Sequence, residues 1–290
     1  MTSKSFSWTA ALAMSTFVLL WGSGAIATRW ALDHSSVVAV LMLRYGLALA
    51  ALLALGMRGR RWWPLAGTRW YVAATGLLLI GFYSAFYFQA MAHGITPGLL
   101  ATLLGIQPIL TLLLTERRFS AGRLAGLLLA LGGLVLVVYQ SLVQAQISTL
   151  GLLLALGALL SMTFGALMQK RIRQTPAEVL PLQYAVTLVL YAFFLPFEPF
   201  RFEWNAQFLL PLLYLGLVIS VGAQLLFYRL IQRGNLVNVT SLLYLVPVVT
   251  VILDYLLLGN AMAPLALAGM VGILAGLALV FREKAAPALA

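Results

Sequence analysis

The chain has 290 residues, of which 63% are hydrophobic and only 9% charged, with a formal net charge of +11 and a mean hydropathy of +1.02. Soluble domains carry about 25% charged and roughly 45–50% apolar residues, so a water-soluble enzyme is excluded and an integral membrane protein indicated. The absence of cysteine excludes a disulfide framework, thiolate metal sites and a cysteine nucleophile.

Ten apolar stretches follow in order, near 8–28, 37–57, 69–91, 96–114, 121–140, 148–169, 178–197, 207–230, 235–257 and 262–281. A spanning helix takes ~20 apolar residues, so ten use ~200 and leave too few for a soluble domain. The runs are too long for barrel strands and do not alternate, which predicts an all-α membrane fold. The first run ends on Ala25-Ile26-Ala27, a small-x-small pattern like a signal cleavage site. It is long for a signal core, and the repeat described below needs it as a helix, so it is read as a retained span.

Basic residues are unevenly placed. With the N-terminus in the cytoplasm, that side receives Lys4, Arg58, Arg60, Arg61, Arg69, Arg117, Arg118, Arg123, Lys170, Arg171, Arg173, Arg229, Arg233, Arg282 and Lys284. The outer side receives Arg29 and Arg201, while Arg44 falls inside the second stretch. This bias predicts an even number of helices with both termini cytoplasmic. It also assigns the basic charge to membrane lipid headgroups and not to nucleic acid.

The halves repeat. Leu124-Ala125-Gly126 through Val137 aligns with Leu267-Ala268-Gly269 through Val280 at a shift of 143. Pro108 matches Pro247 at 139, Gly76 and Gly94 match Gly216 and Gly234 at 140, and Leu43-Arg44-Tyr45 matches Leu182-Gln183-Tyr184 at 139. The division falls at 1–145 and 146–290. Five helices is an odd number, so the second copy is expected upside down, the arrangement of many secondary transporters. The substrate site is then expected near the midplane, where the copies meet.

The stretches Trp21-Gly22-Ser23, Thr28-Arg29-Trp30-Ala31-Leu32, Leu43-Arg44-Tyr45 and Gln89 to Gly98 through Gln107-Pro108 and Glu116-Arg117 resemble the drug/metabolite transporter superfamily, EamA family. Within it the chain most resembles the bacterial YddG-like aromatic amino acid exporters. The resemblance implies a multi-pass protein of the bacterial inner membrane with a cavity lined by helices 1, 3, 4, 6, 8 and 9, helices 5 and 10 being peripheral. It implies export of small metabolites, aromatic and other neutral amino acids foremost, by alternating access. Exporters of drugs or other metabolites are the alternative, and a non-transport membrane scaffold the second.

Arg44 lies about 10 Å along its helix at 1.5 Å per residue. A charge at that depth is a functional candidate, either for a substrate carboxylate or for a gate, unless it snorkels or binds backbone carbonyls. Members with different substrates are expected to share it, which favours structure or gating. Glu116 and Asp254 sit near matching positions on opposite faces, as alternating gates or as interfacial charges. No acid falls at mid-membrane, which argues against obligatory proton antiport.

Tyr83 and Tyr87 share one helix face, and Trp21 and Tyr244 also lie away from the interfaces, either as cavity wall or as packed core. Ser23, Thr102, Gln107, Thr163, Gln224, Asn238 and Ser241 are polar residues at depth, with Met162 an adaptable apolar neighbour. Each either contacts substrate or joins helices. Pro108 and Pro247 are expected to kink helices 4 and 9 at matched sites. His34 and His93 do not form a metal set, and no catalytic or cofactor motif is present. Gly269, Gly272 and Gly276 give helix 10 a small-residue face for another helix of the chain or for a second copy, leaving monomer or dimer open.

Overall fold

The computed structural model describes residues 8–56, 62–116, 119–143, 148–258 and 263–282. Among them the regular elements are helices, with one isolated antiparallel bridge between Ser35 and Phe202. In chain order they are α1 (Trp8–Asp33), α2 (Val37–Gly56), α3 (Ala66–Ala92), α4 (Pro97–Leu104 and Gln107–Thr115) and α5 (Ala121–Val137). After a helical turn at Tyr139–Val143 come α6 (Thr149–Arg171), α7 (Pro176–Phe194), α8 (Ala206–Arg233), α9 (Leu236–Ser241, continuing through Leu242–Tyr244 and Leu245–Leu258) and α10 (Pro264–Arg282). Seven of these, α2, α3, α4, α6, α7, α8 and α10, are long and apolar enough to cross a membrane.

Polar caps set where the helices begin. The side chains of Thr96, Ser120, Ser148, Asn205 and Asn235 each accept from the backbone amide three residues on, at the starts of α4, α5, α6, α8 and α9. At α7 the Glu178 carboxylate accepts from the Thr175 amide. These contacts satisfy amides that the first helical turn leaves without partners.

The contacts between helix ends sort the bundle into two poles. At one, Gln232 donates to the carbonyls of Ile172 and Gln174, and Lys170 Nζ donates to those of Ile231, Gln232 and Gly234. Arg69, Arg123, Arg171, Arg173, Arg229 and Arg233 gather here, making this the basic pole. At the other, His34 meets Glu203 at 2.8 Å, Gln89 donates to Glu198, and the Ser36 amide donates to Arg201. Asp33, Glu198 and Glu203 make this the acidic pole. Hydrogen bonds from His34, and then from Asn205, hold the Glu203 carboxyl below the usual carboxylate range.

Apolar side chains face outward along the shaft between the poles: Leu128, Val189, Leu210 and Val271 are all more than half exposed. In water such a belt would drive aggregation; in hydrocarbon it is the expected surface. Trp62, Trp63 and Trp70 ring the basic pole and Trp204 the acidic one, all exposed, as aromatic belts at the headgroups are.

Helices α5 and α10 cross antiparallel at bare backbone. A Cβ at Gly126 would lie 2.8 Å from the Gly276 carbonyl oxygen, and one at Gly133 would lie 2.6 Å from that of Gly269. The reciprocal distances, from Gly276 to the Gly126 oxygen and from Gly269 to the Gly133 oxygen, are both 2.5 Å. In sequence, Gly126 matches Gly269 and Gly133 matches Gly276, so each glycine meets the counterpart of the other, as across a two-fold axis. Helix 10 thus spends its glycine face inside its own chain, and the dimer alternative for that face falls away.

The same exchange recurs elsewhere. A Cβ at Gly76 on α3 would meet Gln183 Cβ at 2.6 Å, and one at Gly216 on α8 would meet Leu47 at 2.7 Å and the Arg44 carbonyl oxygen at 3.3 Å. Tyr45 and Tyr184, which are counterparts, pack ring to ring at 5.2 Å. The first half therefore interleaves with the second instead of standing beside it.

Gly133→Ala is expected to lower the detergent melting temperature by forcing two backbones apart, at a cost of about 1–3 kcal/mol for overpacking. Gly132→Ala, whose Cβ would meet nothing within 4 Å, is the control and should melt like the parent.

Candidate functional site

A cavity of about 350 Å³ lies between the halves. It reaches from mid-depth, at Gly105, Phe227 and Leu243, to Gly98 and Val138 near the acidic pole. Its size is at the lower end of small-molecule sites, roughly 300–1,000 Å³. Among the described residues, none from the basic pole contributes to its wall.

Two irregular turns shape that wall. Leu77–Phe82 in α3 and Tyr214–Ala223 in α8 are π-helical, and they occupy matching places in the two halves. A π-turn offsets the side-chain register within a continuous helix and is common at functional sites. Leu79 and Ile80 on one side, and Leu215 and Ile219 on the other, reach the cavity from these turns. In α4 the helix breaks at Gly105–Ile106 just before Pro108, and in α9 a tight turn at Leu242–Tyr244 precedes Pro247. Both expected irregularities are thus present, and Pro247 itself lines the cavity whereas Pro108 is buried behind it.

The wall is mostly apolar, and six of its residues, Trp21, Tyr45, Tyr83, Tyr87, Phe88 and Phe227, are aromatic. Trp21 and Phe227 approach at 5.1 Å, Phe17 stacks on Phe227 at 5.2 Å and 6°, and Tyr83 stands 5.8 Å from Tyr87. Met162 and Gln224 complete the set of sequence candidates found here, with Thr28, Tyr45, Ser84 and Phe88 as additional members. Phe227 carries a signal that sequence reading passed over: it matches an aromatic of the other copy, Tyr87.

Among the described residues, Arg44 is the cation of the cavity wall. Its Nε donates to the Ser220 hydroxyl at 2.7 Å, and its guanidinium carbon lies 5.0 Å from the Tyr45 ring centroid. It is half-buried and lines the cavity, neither snorkelling to a pole nor bonded to carbonyls. Helix α2 and the end of α5 (Val137, Val138) therefore belong to the wall beside the six helices that the resemblance implies. The reason for α2 is electrostatic, since its arginine must face away from lipid.

Five candidates lie outside the wall because their polar groups are engaged or buried elsewhere. Ser23 bonds Tyr214 at 2.6 Å and the carbonyls of Leu19 and Leu20. Thr102 and Ser241 donate back to Gly98 and Val237 within their own helices. Tyr244 donates to the Gly105 carbonyl at 2.5 Å, its own sequence counterpart. Gln107 is fully buried below the cavity floor with both amide atoms lacking a partner among the described residues. Glu116 is buried at the basic pole, 2.8 Å from Arg123, and is not a free interfacial charge. The Asp254 side chain lies outside the described residues, so its expected gating role has no structural account. No group of three metal-binding side chains occurs among the described residues.

A family model for EamA-like transporters matches residues 8–139 and again 149–282. The chain belongs to the EamA-like transporter family. It is a multi-pass membrane protein of the drug/metabolite transporter superfamily, with two EamA repeats, and the family is not enzymatic. One solved crystal structure is similar at a TM-score of 0.78 and 24% identity, over 93% of this chain and 96% of that one. At that identity the likeness is one of fold. No curated protein matches the chain.

Within the wall, the Tyr45 hydroxyl and Ser84 Oγ bond at 2.6 Å, joining α2 to α3 of the transporter. Tyr45→Phe leaves the buried Ser84 hydroxyl without that bond, and an unmade buried hydrogen bond costs about 1–3 kcal/mol. We expect a lower melting temperature for Tyr45→Phe, with partial recovery when Ser84→Ala is added.

Proposed function

We propose that this transporter exports small zwitterionic or monoanionic metabolites with an aromatic or large apolar body, aromatic amino acids foremost. The observation that carries the reading is one guanidinium, Arg44, set among Trp21, Tyr83, Tyr87 and Phe227. A carboxylate pairs with the free edge of the guanidinium, while the rings stack on the apolar body. The cavity volume suits one such molecule. An organic cation finds a poorer match, because the wall has no carboxylate among the described residues. A phosphorylated substrate would call for more than one cation.

In this reading the two repeats cross the bilayer in opposite orientations as ten helices, five in 1–145 and five in 146–290. The antiparallel crossing of α5 and α10 supports it. The basic pole faces the cytoplasm by the positive-inside rule, which puts both termini there, in a plasma (inner) membrane. Exchange of conformations between the repeats moves the opening from one pole to the other. Arg44, Pro108, Pro247, Glu116 and Asp254 serve this movement or the substrate's charge.

Uptake of labelled phenylalanine, tryptophan and tyrosine into proteoliposomes is the direct test. We expect saturable transport that is abolished by Arg44→Ala at equal expression and reduced about tenfold or more by Tyr83→Ala or Trp21→Ala, as loss of an aromatic anchor of ≥2 kcal/mol entails. Transport of the labelled amino acids that is unchanged in Arg44→Ala overturns the proposed role of that residue.

The rate should also respond little to an imposed pH gradient, since no acid faces the cavity among the described residues. A steep dependence on that gradient would show obligatory proton coupling and overturn this expectation.

A further inference from the structure

The cavity stops at Gly105, but polar side chains continue beyond it. Gln107 and Thr111, one turn apart on the basic-pole half of α4, are completely buried, and neither the Gln107 amide nor the Thr111 hydroxyl has a hydrogen-bond partner among the described residues. That half of α4 packs on the first turns of α9 and on α6. Thr240 and Ser241 of the same α9 segment are also buried, and their hydroxyls turn back to carbonyls of their own helix. The seam thus brings polar faces together without bonding them across it, although an unmade bond on a buried polar group is costly. A permanent core has no use for such groups, whereas a passage that is periodically wet does.

The mouth of the seam is the part that is tied. Arg123, at the start of α5 and 1% exposed, lies 2.8 Å from Glu116 at the end of α4. The same guanidinium donates to Asn235 at 2.7 Å and to Asn238 at 2.8 Å, both on the first turn of α9. One cation therefore closes α4, α5 and α9 on each other at the basic pole. Above it, α4 and α9 each carry a helix break, at Gly105–Ile106 and at Leu242–Tyr244.

We propose that Gln107, Thr111 and Asn238 line the closed half of the substrate path, from the cavity floor to the basic pole, and that Arg123 with Glu116 is the latch that keeps it shut. The inference rests on the transporter reading and deepens it. When the latch parts, the basic-pole segments of α4 and α9 swing at their breaks. Water then reaches the Gln107 amide and the Thr111 hydroxyl, which lack partners among the described residues in the shut form.

The chain has no cysteine, so single-cysteine variants report one position each. Thr111→Cys, in vesicles exposing the basic pole, is treated with a cationic, membrane-impermeant methanethiosulfonate. Leu128→Cys, on the lipid-facing side of α5, is the control. Labelling of Thr111→Cys should be slow with the latch intact and about tenfold or more faster when Glu116→Gln is added, because removing a bias moves population directly. Leu128→Cys should not change. A Thr111→Cys rate that Glu116→Gln leaves unaltered overturns the proposal.

Should Glu116→Gln fail to fold, the double variant Thr115→Cys with Val239→Cys, which keeps Glu116, Asn235 and Asn238 on Arg123, keeps the question answerable. A short bis-methanethiosulfonate linking the two should stop transport of labelled phenylalanine, and reductant should restore it. Undiminished transport after complete cross-linking rejects the latch. Labelling needs no substrate, so it distinguishes failure of the latch from failure of the amino acid assignment, which would leave the accessibility change in place.

Discussion

Within hydrocarbon no water waits to receive a polar group, and this constraint governs where every charge of the chain is found. Each backbone amide must close a helical bond or a cap, and each ion must find a pole, a counter-ion or a wet cavity. The two deeply placed arginines use different solutions. Arg123 is enclosed by Glu116, Asn235 and Asn238. Arg44 takes one hydroxyl, lies near one ring, and turns its remaining edge to the cavity. The first arrangement is closed on itself. The second leaves donors turned to the cavity, the difference on which the proposed contact with a solute rests.

Glycine supplies the complementary device. Helices in lipid gain no hydrophobic energy by meeting one another, so close packing has to hold them. At Gly126, Gly133, Gly269 and Gly276 the approach is so near that even a methyl group would strike a carbonyl oxygen. Because the four residues are two pairs of sequence counterparts, the contact reproduces itself across the axis. Tyr45 against Tyr184 and Gly76 against Gln183 carry the same relation through the body of the bundle. Counterparts that touch lie near the axis, and the cavity is enclosed by helices that interleave there.

The apolar stretches, the repeat shift and the depth of Arg44 were legible in the sequence, because hydropathy and residue matching act along the chain. Trp21, Tyr83, Tyr87, Met162 and Gln224 were legible as mid-helix residues of the right chemistry. What periodicity does not reveal is rotation about the helix axis. Ser23 and Tyr244 have the chemistry of a binding wall, yet each is turned to another helix, Ser23 toward Tyr214 and Tyr244 toward Gly105. The π-turns at Leu77–Phe82 and Tyr214–Ala223 leave no mark in composition, and they shift the register of every residue after them. Arg123 reads as one more loop charge; its burial depends on Asn235 and Asn238, more than a hundred residues away.

In the proposed alternating access, duplication accounts for two states but not for which of them predominates. Two copies that were alike in every contact would hold the outward and inward forms at equal energy. The proposed latch would break that equality, since the position matching Arg123 at the shift of the glycine pairs is Ala266, a buried residue without charge. Removing one member of a buried ion pair costs about 3–5 kcal/mol, which is an upper bound on the bias, since both ions of the latch would reach water when it parts. About 5.5 kcal/mol carries a two-state equilibrium from 1:99 to 99:1. A single unmatched arginine is therefore of the right size to rest the protein with its basic pole shut. A bound solute then has only to offset that bias, through contacts that are better in the other form, for the path to open.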